Sequence, residues 1–397
     1  MSTNPKGQRR KYPVSQRVNQ ISASGIRKFF DLLASLEGVI SLGVGEPDFA
    51  TPWHICETAI ESLEKGYTVY TSNLGMPELR QELSRYLKDS YNLEYDPGTE
   101  LLITVGVSEA LDLAMRAILN PGDEVIMPDP CYVSYAPCVI LTGGIPIMVP
   151  TNEESNFKVN AADIETRITS QTKAILIGYP ANPTGAVMSR DKLLEIAEVA
   201  QRHKLLVISD EIYAKLVYGV EHTCLATLPG MKENTILLGG LSKAYAMTGW
   251  RIGYAAAPRE IIAAMTKIHQ YTIMCASTMG QVAAIEALKS GDDSATEMVE
   301  DYNRRRLVMV NGLCGIGLSC FEPKGAFYAF PSIKCTGMTS DEFAEKLLTE
   351  EKVAVVPGSA FGEHGEGYVR CCYATSLTDI EEALARMKRF VDKYRKA

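Results

Sequence analysis

Residues 240–253 read GLSKAYAMTGWRIG, and this stretch decides the fold. The apolar run Thr235–Leu238 precedes it, and the run of small and apolar residues Arg251–Ala257 closes it, so the pattern predicts two short buried strands. Lys243 therefore lies in a loop between two buried strands, directly after Ser242 and eight residues before an arginine.

The loop carries the groups that a covalently bound phosphate ester needs. A lysine in dry surroundings near another cation has a lowered pKa and becomes a nucleophilic amine. Ser242 and Arg251 offer a hydroxyl and a guanidinium, which are natural ligands for a phosphate. Together these groups suit pyridoxal phosphate (PLP), whose aldehyde forms a Schiff base with an amine. Most lysines are solvated surface residues, so the hypothesis rests on the context of Lys243.

Composition bounds the class of protein. With 397 residues, 46% of them hydrophobic, the chain can bury a large core and is expected to form about two domains. The net charge of −8 disfavours nucleic acid and anionic membranes as partners. No apolar run is long enough to span a membrane, and the basic start at 1–11 lacks the apolar core of a secretory signal. Ten cysteines without a Cys-x-x-Cys pair or a Cys/His cluster indicate reduced thiols, so a cytoplasmic protein without a metal site is expected.

Strand and helix patterns alternate from Leu101 to about Ile208, which predicts an α/β fold with a mostly parallel sheet between helices. A helical apolar spacing runs from Ser15 to Leu36 before this region. After Pro258 the chain is mainly helical and then changes to an α+β pattern, which predicts a smaller second domain. The boundary is expected near residue 290.

Polar residues follow four of the predicted buried strands. They are the turn at 106–108, Asn182, Asp210 and Lys243. Ligands in such sheets bind at the carboxyl ends of the strands, and a helix that starts at 106–108 would offer free N–H groups to a phosphate. Each residue alone could be a turn or a helix cap; the four together predict one site.

Asp210 ends the apolar run Leu206–Ser209, so its carboxylate is expected to be buried and to need a cationic partner. The pyridinium nitrogen of PLP would be such a partner, and a protonated ring is an electron sink. An aspartate that caps a helix explains Asp210 alone equally well.

Seven motifs occur in order along the chain: GEPDF at 45–49, YTSNLGMPELR at 70–80, NPTG at 182–185, SDEIY at 209–213, SKAYAMTGWRIG at 242–253, PKGAFY at 323–328 and PGSAFG at 357–362. With these motifs the sequence resembles the class I and II aminotransferases of PLP fold type I, nearest the prokaryotic aspartate and aromatic branch, over nearly its full length. The lysine motif is highly specific, and the order of the others makes coincidence negligible. The resemblance implies a mostly parallel sheet of the seven-stranded type between helices. It also implies an N-terminal arm and helix (1–45) that pack with the small domain, a large PLP-binding domain (46–290) and a small α+β domain (291–397).

The resemblance further implies a role for each matching residue. Lys243 would bind PLP covalently and then move a proton between the substrate Cα and the coenzyme. Asp210 would pair with the ring nitrogen, and Tyr213 and Asn182 would hydrogen-bond the phenolic oxygen of the ring.

The remaining implied contacts hold the coenzyme's phosphate and ring face. Arg251, Ser242 and the turn at Val107 and Ser108 would bind the phosphate, and Tyr132 would stack on the ring.

Substrate binding and assembly follow from the same resemblance. Arg370 would bind the substrate α-carboxylate with a bidentate fork, and Gly45 would donate its backbone N–H to it. Phe327 and Phe361 would line the side-chain pocket, although core packing explains both equally well. Tyr70 would reach the phosphate in the other subunit, which implies a homodimer with shared active sites.

Two positions depart from the family pattern. Relatives that favour aspartate carry a lysine where this chain has Ser108, so recognition of a dicarboxylate is not explained. Cys372 stands where serine is frequent, which is expected to be neutral.

The sequence thus predicts a PLP-dependent aminotransferase that acts by a ping-pong mechanism. Aromatic or broad-range L-amino acids with 2-oxoglutarate as acceptor are favoured, and an aspartate-type or biosynthetic aminotransferase remains open. A PLP-dependent C–S or β-lyase also remains open, because the reaction depends on which Cα bond lies perpendicular to the ring. A regulator with an aminotransferase-like sensor domain is disfavoured, since residues 1–45 are too few for a DNA-binding domain and the chain is acidic.

Overall fold

The computed structural model describes residues 14–21 and 37–396. The strands, in chain order, are β1 (Ile40–Ser41), β2 (Leu101–Thr104), β3 (Glu124–Asp129), β4 (Ile145–Pro150), β5 (Thr172–Ile177), β6 (Leu206–Asp210), β7 (Thr235–Gly240), β8 (Gly253–Ala256), β9 (Tyr328–Ala329), β10 (Val353–Ala354), β11 (Val356–Pro357) and β12 (Val369–Cys372). The α-helices are α1 (Gln16–Gln20), α2 (Trp53–Glu64), α3 (Pro77–Tyr91), α4 (Gly106–Ile118), α5 (Tyr135–Thr142), α6 (Ala161–Glu165), α7 (Arg190–Arg202), α8 (Arg259–Thr272), α9 (Thr278–Ser290), α10 (Asp292–Gly315), α11 (Ser340–Glu351) and α12 (Leu377–Tyr394).

The largest sheet has seven strands in the spatial order β2-β8-β7-β6-β5-β3-β4. Strands β3 to β7 pair in parallel, and β8 pairs antiparallel with both β7 and β2. The reversal follows from the connection, because residues 241–252 contain no helix that could carry the chain back for a parallel pairing. The predicted mostly parallel α/β sheet is therefore confirmed.

Side chains of the central strands alternate between two apolar layers. Leu102, Ile208 and Leu238 are buried in one cluster together with side chains of α4 and α8. Their neighbours Leu101 and Leu237 are buried in the cluster on the other face. Because helices cover both faces, each strand reads as a continuous apolar run, as the sequence predicted.

Two smaller sheets involve the last third of the chain. Strand β1 pairs in parallel with β10, and β12 lies between β11 and β9 in an antiparallel sheet. Cys372 N donates to Leu42 O over 2.7 Å, which places the segment after β1 beside β12. This arrangement brings Gly43 beside Arg370, whose Nη2 donates to Gly43 O.

The element predictions hold with small changes at the ends. Helix α4 begins at Gly106, in the turn at 106–108 where the sequence predicts a helix to start, and the short helix α6 was not predicted. The predicted helix at 15–36 is helical at Gln16–Gln20, and its part at 22–36 lies outside the described residues. The division of the chain at residues 45 and 290 stays a prediction.

Across the described residues, no helix is both long and apolar enough to cross a membrane.

Candidate active site

A cavity of about 580 Å³ opens at the carboxyl edge of the seven-stranded sheet. Its size is typical of a site for a small molecule. The predicted site residues on its wall are Gly45, Val107, Ser108, Tyr132, Asn182, Asp210, Tyr213, Ser242, Lys243, Arg251 and Arg370. The pairing of β7 with β8 explains how the residues of the lysine loop reach this wall. Gly240 lies opposite Gly253, so both ends of the loop lie at one edge of the sheet.

Lys243 follows β7 and lies partly buried in the wall of this cavity. Its Nζ donates to the Gly45 backbone oxygen over 2.6 Å and lies 5.8 Å from the centroid of the Phe327 ring. Burial, assisted by the nearby cations Arg370 and Arg251, lowers the pKa of Lys243 to about 8. The amine is therefore available as a nucleophile and as a base closer to neutral pH than an exposed lysine.

Asp210 is the last residue of β6, and its carboxylate is buried. It accepts hydrogen bonds from Tyr135 Oη over 2.9 Å and from Ile212 N over 3.1 Å. Burial raises the pKa of Asp210 to about 6, against the effect of these two bonds. Gly178 makes the approach of Tyr135 possible, since a Cβ at that position would lie 2.2 Å from Tyr135 Oη. The carboxylate is held in place and lacks a cationic partner among the described residues.

The start of α4 forms an anion-binding turn. The first N–H groups of a helix have no partner within the helix, and Val107 and Ser108 of this first turn line the cavity. Gly106 has φ +71°, and a Cβ there would lie 2.4 Å from Arg251 Nη2. The glycine therefore lets the guanidinium lie against the turn. Ser242 completes this wall with its hydroxyl.

Arg370 extends from β12 into the cavity wall. Its Nη1 donates to Asn182 Oδ1 over 2.9 Å and its Nη2 to Gly43 O over 2.7 Å. The guanidinium also stacks on the rings of Tyr328 and Phe361, with 4.4 Å and 5.0 Å to their centroids. Its Nε is buried without a hydrogen-bond partner among the described residues. Among the described residues, no acidic side chain forms an ion pair with the Arg370 guanidinium. The guanidinium can therefore bind a carboxylate.

Tyr213 and Tyr328 meet at the back of the cavity. Their hydroxyl oxygens lie 2.6 Å apart, and both residues line the wall. Burial raises the pKa of both phenols, so both keep their protons at neutral pH.

Three predicted residues lie elsewhere. Tyr70 is 79% exposed in the loop before α3 and is not on the cavity wall. Phe327 and Phe361 are buried in the core one layer behind the wall, against Lys243 and Arg370 respectively. They support the two cations, and contact between either ring and a substrate side chain stays a prediction.

Sequence reasoning missed Tyr135 and Tyr328, two wall residues whose hydroxyls contact predicted site residues. A signal for Tyr135 was Gly178 at the end of β5, where a glycine marks the close approach of another group. Tyr328 belongs to the PKGAFY motif, whose phenylalanine was selected in its place.

These residues fit PLP. Asp210 would offer a buried carboxylate to a cationic ring nitrogen, and Lys243 would offer an amine with a lowered pKa. The first turn of α4, Ser242 and Arg251 form a cradle for a phosphate that a Cβ at Gly106 would obstruct.

The chain is similar to known proteins over nearly its whole length. The family model for class I and II aminotransferases matches residues 37–387. YugH of Bacillus subtilis, which is named as an aminotransferase, is 59% identical over 96% of this chain and 98% of its own length. An aspartate aminotransferase of Pyrococcus abyssi is 48% identical over 95% of this chain and 97% of its own. The crystal structure of an aromatic aminotransferase from Pyrococcus horikoshii has a TM-score of 0.89 and 46% identity, and the match covers 93% of this chain and 99% of that one.

Proposed function

Because the chain belongs to the class I and II aminotransferases, we propose that it transfers the amino group of aromatic or broad-range L-amino acids to a 2-oxo acid such as 2-oxoglutarate. The family depends on PLP, and this chain is a PLP-dependent transferase of nitrogenous groups. Relatives named for aspartate and for aromatic amino acids are similarly close, so the family alone does not decide the substrate.

The distribution of cations in the cavity supports the aromatic assignment. Lys243, Arg251 and Arg370 are the cations that line it among the described residues. We assign Lys243 to the covalent bond with the coenzyme, Arg251 to its phosphate and Arg370 to the substrate α-carboxylate. A second substrate carboxylate would therefore find no cation there, and it would meet the negative charge of Glu46 at the wall.

The rest of the wall favours an aromatic or apolar side chain. Leu111 and Ile212 offer methyl groups, and Ser108 offers a hydroxyl where a lysine would suit a dicarboxylate. The second carboxylate of 2-oxoglutarate would be held by hydroxyl donors alone. We therefore expect a higher KM for this acceptor than for an aromatic 2-oxo acid.

The residues would act as follows in this proposal. PLP, when bound, supplies an electron sink for the substrate Cα. Lys243 moves the Cα proton, and Asp210 holds the positive charge of the ring nitrogen. Arg370 orients the α-carboxylate, and Asn182 holds Arg370 and keeps its own Nδ2 free to donate into the cavity. One cavity serves donor and acceptor in turn, which is the ping-pong order.

Exposed apolar side chains support a homodimer with shared sites. Trp53, Val69 and Tyr70 are 68%, 72% and 79% exposed, and Tyr271 at the end of α8 is 84% exposed. Large exposed apolar groups of this kind mark interaction surfaces. We include a cytoplasmic location in the proposal because all ten cysteines are free thiols.

A half-reaction screen tests the substrate. Purified holoenzyme is mixed with one amino acid at a time, without an acceptor, and the change in coenzyme absorbance is followed. The proposal predicts faster conversion with phenylalanine, tyrosine and tryptophan than with aspartate, and little free ammonia. Ser108→Lys is expected to raise kcat/KM for aspartate. Faster conversion with aspartate would identify the aspartate-type alternative, and release of ammonia and a 2-oxo acid from one substrate would identify a lyase.

A further inference from the structure

Tyr328 lies against three groups of the proposed machinery. Its hydroxyl oxygen lies 2.6 Å from that of Tyr213, and its ring lies under the Arg370 guanidinium at 4.4 Å. A Cβ on Gly45 would lie 2.6 Å from Tyr328 Oη, and Gly45 O accepts the Lys243 hydrogen bond. Tyr328 is 1% exposed, so its ring is held in place between Tyr213 and Arg370.

In the hydrogen bond between the two phenols, one hydroxyl donates and the other accepts. Each phenol carries one proton, because burial raises the pKa of both. If Tyr213 donates to Tyr328, it has no proton left for a ligand in the cavity. If Tyr328 donates instead, the proton of Tyr213 remains available.

The nearby cation decides between the two directions. Arg370 stacks on Tyr328 rather than on Tyr213, and a cation beside a phenol makes it more acidic and so a stronger donor. Hydrogen bonds in a chain polarise one another in a low dielectric, so a bond from Tyr328 would strengthen Tyr213 as a donor.

We propose that Tyr328 is a positioning residue that donates to Tyr213 and thereby directs the Tyr213 proton at the phenolic oxygen of the coenzyme. The same ring supports Arg370, so recognition of the substrate carboxylate and hydrogen bonding to the coenzyme share one side chain. The inference rests on the proposed function, since it requires PLP at Lys243 and Tyr213 beside its phenolic oxygen.

A spectroscopic titration of the holoenzyme tests the inference without turnover. The absorbance of the lysine-bound coenzyme reports its protonation, and a strong Tyr213 donor stabilises the form without the proton. Tyr328→Phe removes the hydroxyl and keeps the ring, so it is expected to raise the pKa of the chromophore by about half a unit or more. An unchanged or lower pKa would overturn the proposal.

Two further variants make the test specific. In a Tyr213→Phe background, Tyr328→Phe should have no further effect on the chromophore, because it acts through Tyr213. Tyr302→Phe is a matched control, since Tyr302 is buried in the same core cluster and its hydroxyl has no partner among the described residues. A shift in the Tyr302 variant equal to that of the Tyr328 variant, or an additive effect in the double variant, would overturn the proposal.

Steady-state kinetics separates the two contacts of the ring. Tyr328→Phe should keep KM for the amino acid within about twofold, whereas Tyr328→Leu should raise it roughly two- to thirtyfold through loss of the cation–π contact. Equal KM values for both variants would contradict the shared role. If wild-type protein forms no lysine-bound chromophore, the proposed function fails; if the chromophore forms and does not respond to Tyr328→Phe, this inference alone fails.

Discussion

Arg370 Nη1 donates to Asn182 Oδ1 over 2.9 Å, although 188 residues separate the two in the chain. Arg370 lies on β12 of the small antiparallel sheet, and Asn182 follows β5 of the large sheet. One hydrogen bond therefore joins the residue assigned to the substrate carboxylate to a residue assigned to the coenzyme. The bond occupies the amide oxygen of Asn182, so the amide nitrogen remains as the donor of that side chain.

Arg370→Lys should impair substrate binding more than coenzyme binding. Lysine keeps the charge but cannot reach Asn182 and Gly43 while it binds a carboxylate in a bidentate way. The loss of one or two charge-assisted bonds predicts a rise in KM for the amino acid of roughly tenfold to a hundredfold, with an affinity for PLP close to that of wild type. Arg306→Lys is the control, because Arg306 contacts Glu322 and Pro323 O instead. A wild-type KM in Arg370→Lys would show that the carboxylate binds elsewhere.

Asp210→Asn should retain the coenzyme and lose most of kcat. Burial raises the pKa of Asp210 to about 6, so below that pH the carboxyl is mostly protonated and cannot pair with a cationic ring nitrogen. The affinity for PLP should therefore fall as the pH falls through about 6, and Asp210→Asn should remove this part of the pH dependence. Titrations of the apoprotein with PLP at pH 5 and pH 7 measure this change in affinity. Asp129→Asn, a change at a buried carboxylate that contacts His364, should retain the pH dependence of PLP affinity. An unchanged kcat in Asp210→Asn would contradict the assignment.

Gly106→Ala should weaken coenzyme binding through the phosphate site. The added Cβ would lie 2.4 Å from Arg251 Nη2, and the backbone has φ +71°. Gly122→Ala is a matched control, because that glycine has φ +93° with open space around it. Both changes should destabilise the fold by roughly 1–2 kcal/mol, since an L-residue is strained at positive φ. Only Gly106→Ala should raise the Kd for PLP in a fluorescence titration. An equal effect of both variants on Kd would remove Gly106 from the phosphate site.

The pH dependence of coenzyme capture reports on Lys243. Burial lowers the pKa of Lys243 to about 8, so roughly a tenth of the amine is neutral at pH 7 and about half at pH 8. Stopped-flow mixing of apoprotein with PLP should show a capture rate that rises across this range. Binding of pyridoxamine 5′-phosphate, which has no aldehyde, should not show this rise. A rate with a midpoint near 10.5, the ordinary value for a lysine, would mean that the amine is exposed.

The same pKa sets the sign of a stability effect. The lysine binds fewer protons in the folded chain than in the unfolded chain between pH 8 and 10.5. The free energy of unfolding of the apoprotein should therefore rise with pH in this window through Lys243, and Lys243→Met should remove that contribution. Urea denaturation at pH 8 and pH 10 measures the difference.

The backbone of the site was predictable from sequence because each polar residue follows an apolar strand. Asp210 ends a parallel strand, and Asn182 and Lys243 follow two others, so all three lie where the carboxyl ends share one edge of the sheet. The side-chain pairs were not predictable in this way. Tyr135 reaches Asp210 across 75 residues and Tyr328 reaches Tyr213 across 115, and such pairs depend on how helices and strands pack.

Strand alternation explains why Tyr328 rather than Phe327 lies on the cavity wall. Adjacent side chains near β9 point to opposite faces, so only one of the two can reach the wall. The sequence PKGAFY does not reveal which face meets the cavity. Pairing of Tyr328 with Cys372 in β12 decides this, because it turns the tyrosine towards Arg370 and leaves Phe327 in the core.

Lys243→Ala should abolish turnover and leave the fold intact. Loss of the group that moves the proton predicts a fall in kcat of roughly 10²- to 10⁴-fold or more. Lys65→Ala removes an exposed lysine that pairs with Glu61 and should have no effect on kcat. Circular dichroism checks the fold of both variants. Wild-type turnover in Lys243→Ala would refute the assignment.

The most direct measurement is borohydride reduction of the holoenzyme followed by peptide mapping. Reduction makes the bond between the coenzyme and its amine permanent, so mass spectrometry can locate the label. The account predicts a pyridoxyl label on Lys243 in stoichiometric amount. A label on another lysine, or protein that remains unlabelled after incubation with PLP, would contradict it.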